Sequence, residues 1–288
     1  NNVGFGSTEF LVFRGKENIS NSDFIYYLSR SEFVKNNAIQ MMTGTSGRQR
    51  VEKSALGELG ITVPNLHTQT QIAQILSSLD DKIELNLQMN QTLEAMAQAL
   101  FKEWFVDCVN DDWKTVCLGD LIEIKGGFSY KGEYIGNGDA LLLGMGCVSF
   151  SERFLFSGAR PYSGECGINH LANPGDIVIA TRQQSDNLPI LGFPAKIPIS
   201  FSHKKVIVGT NLYKVINKST LNNSTLFQLL RSDNYKNHIL SNSKGSTVRM
   251  ITKDSIELFE FKMPPKELLQ DYENTFMSID NKIERNID

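Results

Sequence analysis

The chain has 288 residues, with 21% charged and 41% hydrophobic side chains and a formal net charge of −3. That length can bury more than one substantial core, and the composition is that of an ordinary soluble protein. No apolar run reaches the length of a transmembrane helix and the first residues do not read as a signal peptide, so no membrane role is expected and a cytoplasmic location is.

Residues 7–13 (STEFLVF) read as a strand, and Ser22 to Val34 as a short amphipathic helix capped by Ser22. A polar, turn-rich loop follows, Thr43-Gly44-Thr45-Ser46-Gly47-Arg48-Gln49-Arg50. A short helix or turn at Lys53 to Leu56 and a strand at Gly60 to Val63 come next, and Pro64 ends that strand. The clearest signal is a long helix. From Ile72, positions Leu76, Leu79, Ile83, Asn86, Asn90, Leu93, Ala97, Leu100 and Trp104 keep 4-3-4-3 spacing, a heptad seam that calls for a partner helix. Thr68 can cap its start, and no Pro or Gly interrupts it before Trp104. At about 1.5 Å per residue, positions 66–104 would span roughly 58 Å. Asn86 and Asn90 interrupt the apolar stripe; buried asparagine fixes register and orientation, and the alternative is that both face water.

Beyond Trp113, the segment Cys117 to Glu123 opens a second globular part. Lys125-Gly126-Gly127-Phe128-Ser129-Tyr130 reads as an exposed turn and Ala140 to Leu143 as a strand. Pro174-Gly175-Asp176 turns into Ile177-Val178-Ile179-Ala180, a buried strand. The order then repeats that of the first part: Gly209 to Ile216, Ser224 to Leu240, Lys244 to Ile251 and Glu257 to Met263. A second long helix carries Tyr272, Phe276, Ile279, Ile283 and Asn286 on one seam.

The two parts are copies of one unit. Leu79-Asp80-Asp81-Lys82-Ile83-Glu84-Leu85-Asn86 recurs as Ile279-Asp280-Asn281-Lys282-Ile283-Glu284-Arg285-Asn286, at an offset of 200. Phe24 to Ser31 matches Thr225 to Ser232 at 201, and the one-residue change falls within the glycine turns, where it leaves flanking faces undisturbed. Residues from Trp113 to about Phe201 have no counterpart ahead of Asn1. The expectation is therefore a fragment of a larger chain, or a chain completed by a second copy. The division expected is residues 1–65, the C-terminal half of a first globular domain; 66–112, a long coiled-coil helix; 113–265, a complete second domain; and 266–288, the start of a second helix.

Charge divides along the same boundaries. Residues 113–265 hold 17 Lys and Arg against 12 Asp and Glu, while residues 66–112 hold 2 against 8. Basic character thus sits on the globular part and acid on the helices, which suits a phosphate-facing domain on a protein- or water-facing connector. Cys108, Cys117, Cys147 and Cys166 lack CxxC spacing and read as reduced thiols, with no metal site expected. His67, His170, His203 and His238 are scattered, the Asp111-Asp112 pair sits at a linker, and no catalytic residue is assigned.

Several short pieces carry a family resemblance. They are Trp113…Leu118-Gly119-Asp120-Leu121, Pro174-Gly175-Asp176-Ile177-Val178, Lys244-Gly245-Ser246-Thr247…Ile251, Gln69-Thr70-Gln71-Ile72-Ala73-Gln74-Ile75-Leu76, and Leu100-Phe101-Lys102…Trp104-Phe105. In this order and spacing the chain strongly resembles, over essentially its whole length, the specificity subunit of type I DNA restriction-modification enzymes. The resemblance implies an α+β target recognition domain of short strands and helices, with long helices forming an antiparallel coiled coil. It also implies a non-catalytic subunit in which each recognition domain reads one half of a bipartite sequence in double-stranded DNA. Two modification subunits would dock on it and methylate adenine with S-adenosylmethionine, and restriction subunits would supply translocation and cleavage with ATP and Mg. Those activities are not expected in this chain, which has no Walker-type segment and no Asn/Asp-Pro-Pro-Tyr/Phe motif; Met263-Pro264-Pro265-Lys266 shares only the prolines.

For base reading, the segment Thr181-Arg182-Gln183-Gln184-Ser185-Asp186-Asn187 stands out, because arginine can grip guanine and glutamine adenine at two points each. Arg182, Gln183, Gln184 and Asn187 are the candidates; the alternative is a hydrated loop. Lys125, Ser129, Tyr130 and Lys131 form a second set, in which Gly126-Gly127 would let backbone approach phosphate. Arg153 and Arg160, near aromatic residues, are a third. Lys244, Ser246, Thr247 and Arg249, matched by Thr45, Ser46, Arg48 and Arg50 in the first copy, suggest a shared phosphate grip or a shared turn. The competing reading of the whole chain is a repeated-domain protein scaffold with no sequence-specific DNA reading.

Overall fold

The computed structural model describes residues 6–7, 10–45, 49–183, 190–245 and 248–287. The chain forms two compact units, residues 1–85 and 86–288.

The first unit contains α1 (Ser22–Arg30) and α2 (Glu32–Gln40), the hairpin of β1 (Met42–Thr43) with β2 (Arg50–Val51), α3 (Lys53–Gly57), and the first part of α4 (Leu66–Lys102). The single helix expected over 22–34 is two. Asn21, not Ser22, caps α1 by accepting from the Asp23 and Phe24 amides, and Ser31 breaks the run by capping α2 through the Val34 amide. Likewise Asn65 Oδ1, not Thr68, caps α4, accepting from the Thr68 amide at 2.9 Å. Phe24, Val34 and Ala73 are buried. Gln69, fully buried, holds the helix start: its Oε1 accepts from the Asn21 amide at 3.0 Å, and its Nε2 donates to the carbonyls of Ile19 at 3.1 Å and Pro64 at 2.8 Å.

The strands expected over 7–13 and 60–63 are absent among the described residues, and Phe10 and Val12 are 69% and 75% exposed. The second unit supplies the reason. There the matching segments are β12 (Leu212–Asn217), which pairs with β4 (Ile122–Gly126) and β8 (Ile177–Ala180), and β14 (Glu260–Met263), which pairs with β3 (Lys114–Cys117). All three partner strands belong to the stretch without a counterpart in the first unit. A strand sequence with no neighbour to take its backbone hydrogen bonds stays irregular.

The second unit is layered. One sheet has the order β10-β8-β12-β4, with β10 at Pro194–Lys196. The other has the order β6-β5-β11-β7, from β5 (Ile135–Leu143), β6 (Ala159–Tyr162), β7 (Leu171–Ala172) and β11 (Val206–Val208). Strand β8 is buried on both faces. Ile177 and Ile179 enter a core shared with the helices, whereas Val178 and Ala180 enter a core between the sheets with Leu143, Val206 and Val208. The helical layer is α5 (Asn223–Leu229), α6 (Asp233–Ser241), α7 (Lys253–Glu257), α8 (Lys266–Ile287) and the end of α4. Asn222 caps α5 and Ser232 caps α6, matching Asn21 and Ser31 of the first unit at an offset of 201.

Helices α4 and α8 run antiparallel in this unit. At one end Asn286 Nδ2 donates to Asn90 Oδ1 at 2.8 Å, and at the other the ring of Tyr272 meets Phe101, Trp104 and Phe105 at centroid distances of 6.1, 5.9 and 4.6 Å. Ala97, Tyr272, Phe276 and Ile283 are buried along this seam, Leu100, Trp104 and Ile279 pack against the same core, and Asn86 and Leu93 are half-buried. The α-helix ends at Lys102, and residues Glu103–Asp107 continue as a π turn, earlier than the sequence pattern suggested. In the first unit Ile72 and Leu76 are half-buried, but Leu79 and Ile83 remain 54% and 58% exposed.

Candidate nucleic-acid interface

Two loops far apart in sequence meet in one ribbon. Strand β9 (Arg182–Gln183) continues directly from β8 and pairs antiparallel with β13 (Arg249–Met250), setting Arg249 opposite Gln183 and Met250 opposite Arg182. Lys244 joins the same ribbon through two backbone hydrogen bonds to Met250, of 2.9 and 2.8 Å. Gly245 makes the turn at φ +101°, where a Cβ would come within 2.3 Å of the Val248 carbonyl oxygen. Below the ribbon, the Ile251 amide donates to the Thr181 carbonyl at 3.1 Å and the Tyr213 hydroxyl to the Ile251 carbonyl at 3.5 Å. Burial pushes the Tyr213 phenol up; nearby Arg182 opposes that shift and Asp254 adds to it.

Arg182, Lys244 and Arg249 are exposed on this ribbon. Gln183 is not: successive strand residues face opposite sides, and its side chain points inward with 5% exposure. Contrary to the sequence expectation, Gln183 therefore does not present its amide to a base edge. Gln184, Asn187, Ser246, Thr247, Ser46 and Arg48 lie outside the described residues. Val248 and Met250, 39% and 41% exposed beside Arg249, were overlooked from the sequence. An apolar contact to a thymine methyl is open to them, and the alternation Val-Arg-Met was the available signal.

Arg153 is the second correction. Its guanidinium is 1% exposed and ion-paired to Glu94, to Asp280 at 2.5 Å and to Glu284 at 2.8 Å, so it cannot reach nucleic acid. Arg160, on β6, is exposed. In the remaining loop Ser129 and Lys131 are exposed, and half-buried Lys125 lies 3.8 Å from Glu123. Tyr130 stacks edge-on at 6.5 Å against Tyr162 of the outer core. Glycine at 127 serves the fold rather than phosphate: a Cβ there would lie 2.0 Å from the Gly209 carbonyl oxygen, the closeness that lets Phe128 bridge to Gly209.

In the first unit the β1–β2 hairpin has the same design. Thr43 pairs with Arg50 as Lys244 does with Met250, and Gly44 turns at φ +120°. Thr45 and Arg50 are exposed there. Burial pushes the Cys147 thiol up to about 12, which leaves it unreactive. Among the described residues, no cluster of His, Cys, Asp or Glu is placed to hold a metal, and no helix is long and apolar enough to cross a membrane.

The family model described as "Type I restriction modification DNA specificity domain" matches residues 1–95 and 110–287. The chain is 40% identical over 120 residues to the type I restriction enzyme HindI specificity subunit of Haemophilus influenzae, a match covering 41% of this chain and 26% of that protein. It is 25% identical to the MjaIX specificity subunit of Methanocaldococcus jannaschii, over 92% of this chain and 64% of the relative, and 26% identical to the MjaVIII specificity subunit of that organism, over 97% and 71%. The chain thus spans about a quarter to two thirds of the length of the first two relatives. In fold it is similar to the S subunit of a type I restriction-modification system from M. genitalium, with a TM-score of 0.55 and 15% identity over 92% of this chain and 67% of that one. With the family model matching nearly the whole sequence, the chain belongs to the type I restriction-modification DNA specificity family.

Proposed function

We propose that this chain is a non-catalytic, DNA-reading and assembly component of a type I restriction-modification complex, working in the cytoplasm. The observation that carries the reading is the β9–β13 ribbon, in which Arg182 and Lys244, both paired with Met250, share one exposed face, while Arg249, paired with Gln183, is exposed from the other. Arg182 and Arg249 are suited to base edges and Lys244 to phosphate. Of the Lys and Arg in residues 113–265, Arg153, Lys196 and Arg231 are buried against helix carboxylates, so the exposed cations of the ribbon, rather than the domain's overall excess, support a polyanionic ligand.

The helices would supply the assembly role. In the second unit Ile283 is buried and Ile279 packs against the core that α4 and α8 share, so the matching, exposed Leu79 and Ile83 call for a partner helix from this or a neighbouring chain. Two modification subunits, carrying S-adenosylmethionine, are the proposed partners for adenine methylation. Restriction subunits would bring ATP and Mg, and double-stranded DNA is the shared ligand.

The test is binding of the chain to randomised duplexes as salt rises. Sequence preference that survives raised salt supports reading, and uniform loss with salt leaves only backbone attraction. Arg182→Ala or Arg249→Ala is expected to cost about 1–3 kcal/mol against the preferred base and to relax preference at that position. Lys244→Ala is expected to weaken all duplexes alike and to lower the salt slope by about 1. Equal loss of preference and affinity in all three variants would favour a scaffold with incidental charge.

A further inference from the structure

Below the sheets of the second unit lies a buried ion cluster that DNA reading does not use. Arg153 pairs with Glu94 of α4 and with Asp280 and Glu284 of α8. Lys196 of β10 reaches the same two α8 carboxylates, Asp280 at 3.2 Å and Glu284 at 2.9 Å, and its Nζ donates to Ser224 Oγ at 2.8 Å. Arg231, at the α5–α6 turn, closes the cluster on Glu94 at 2.9 Å and donates to the Phe150 carbonyl at 3.1 Å. All six charged side chains are at most 10% exposed. Three cations balance three carboxylates.

The origin of these groups defines what the cluster joins. Both carboxylate-bearing elements are the long helices, while Lys196 comes from strand β10 and Arg153 from the loop between β5 and β6. The Lys196 amide donates to the Arg153 carbonyl at 3.0 Å, which ties the Arg153 loop to strand β10. Lys196 also pairs with Ile177 of β8, and β8 leads into β9 and Arg182. Side-chain ion pairs to β10, the β10–β8 ladder and the chain from β8 into β9 thus connect the helix carboxylates to the ribbon. Apolar packing alone is permissive about angle, since it has no direction, whereas short charge-assisted hydrogen bonds fix distance and orientation.

We propose that Arg153, together with Lys196, is a positioning residue that sets the angle at which the sheet layers, and with them the Arg182–Arg249 ribbon, are held on the α4–α8 helix pair. The consequence for function rests on the reading of that ribbon as a DNA contact; the geometric part does not.

The experiment measures orientation and reading separately. Spin labels are placed on the chain through Gln91→Cys on α4 and Pro161→Cys on β6 of the sheet layer, with the native cysteines replaced by serine, and their distance distribution is recorded without DNA. The wild-type cluster is compared with Arg153→Met, and with Arg153→Met combined with Glu284→Gln, which keeps the charges balanced and guards against simple unfolding. Arg153→Lys serves as the conservative rescue. In the balanced variant the distribution is expected to widen about twofold, while affinity for the preferred half-site duplex stays within about twofold of wild type, because ribbon and cluster are separate sites. Arg153→Lys is expected to recover much of the narrow distribution. A balanced variant as narrow as wild type overturns the proposal, as does one in which half-site binding and folding are lost together. Failure of the wild-type chain to prefer any duplex would instead sink the DNA reading and leave the distance result to decide the geometric claim.

Discussion

Arg153 shows how far a single side chain departs from its sequence neighbourhood. It follows Ser149-Phe150-Ser151-Glu152, a stretch that reads as a polar loop, and its partners Glu94 and Asp280 lie 59 residues before and 127 after it. No local pattern encodes such a site. Removing the guanidinium leaves buried carboxylates short of one cation, so Arg153→Ala is expected to cost about 3–5 kcal/mol, read by denaturant unfolding. Asp280 carries the acid sensitivity of the cluster. Burial by itself would raise its pKa, but Arg153 and Lys196, with hydrogen bonds from Ser224 and Arg153, hold its carboxyl below the usual range. A carboxylate whose folded pKa is depressed stabilises the fold fully above its unfolded pKa of about 4, and that contribution is lost as pH falls through the folded value. Unfolding midpoints measured from about pH 6 down should fall below about pH 4, and Asp280→Asn should start lower and fall less steeply there. At the ribbon, Arg182 was legible because it follows a β-branched buried strand. Gln183 faces inward because a second short strand, β9, follows β8 after Thr181 and continues the alternation of sides beyond the apolar run.

At the scale of elements, the helix seam was readable, whereas the caps expected at Ser22 and Thr68 fell on Asn21 and Asn65, and strand partners were not readable. The Asn-and-Ser punctuation of α1–α2 and α5–α6 is written in the sequence at a constant offset, although the breaks at Ser31 and Ser232 need recognition of serine before an acidic residue as an N-cap. The expected strands over 7–13 and 60–63 failed for a nonlocal reason: their counterparts β12 and β14 exist through pairing with β3, β4 and β8. The heptad seam led to the α4–α8 pair and to its asparagines. Asn90 and Asn286 hydrogen-bond across the seam, and Asn90 Nδ2 also donates to the Ile283 carbonyl at 3.4 Å. Asn90→Leu leaves the Asn286 amide without its partner and is expected to cost about 1–2 kcal/mol. Asn90→Leu combined with Asn286→Leu is expected to recover that stability, while loosening register, because the two leucines can slide where the amides cannot. Thermal unfolding of the three chains checks the order.

Across the whole chain, the repeat was the most legible feature, because it is a property of the sequence compared with itself and needs no knowledge of packing. Its halves share caps, the Gly44 and Gly245 turns and the paired Thr43–Arg50 and Lys244–Met250 hairpins. The charge division was equally visible, yet composition could not say which cations are spent inside: Arg153, Lys196 and Arg231 are buried in the ion cluster and contribute nothing to a surface field. Arg182, Lys244 and Arg249 remain exposed on the ribbon. The most direct measurement of whether that ribbon reads DNA is selection of bound duplexes from a fully randomised pool by this chain at raised salt, run beside the Arg182→Ala, Arg249→Ala double variant. The account predicts a defined half-site for the wild type and, for the variant, a selected pool with at least one of its positions randomised. An identical half-site from both chains, or none from the wild type, would contradict it.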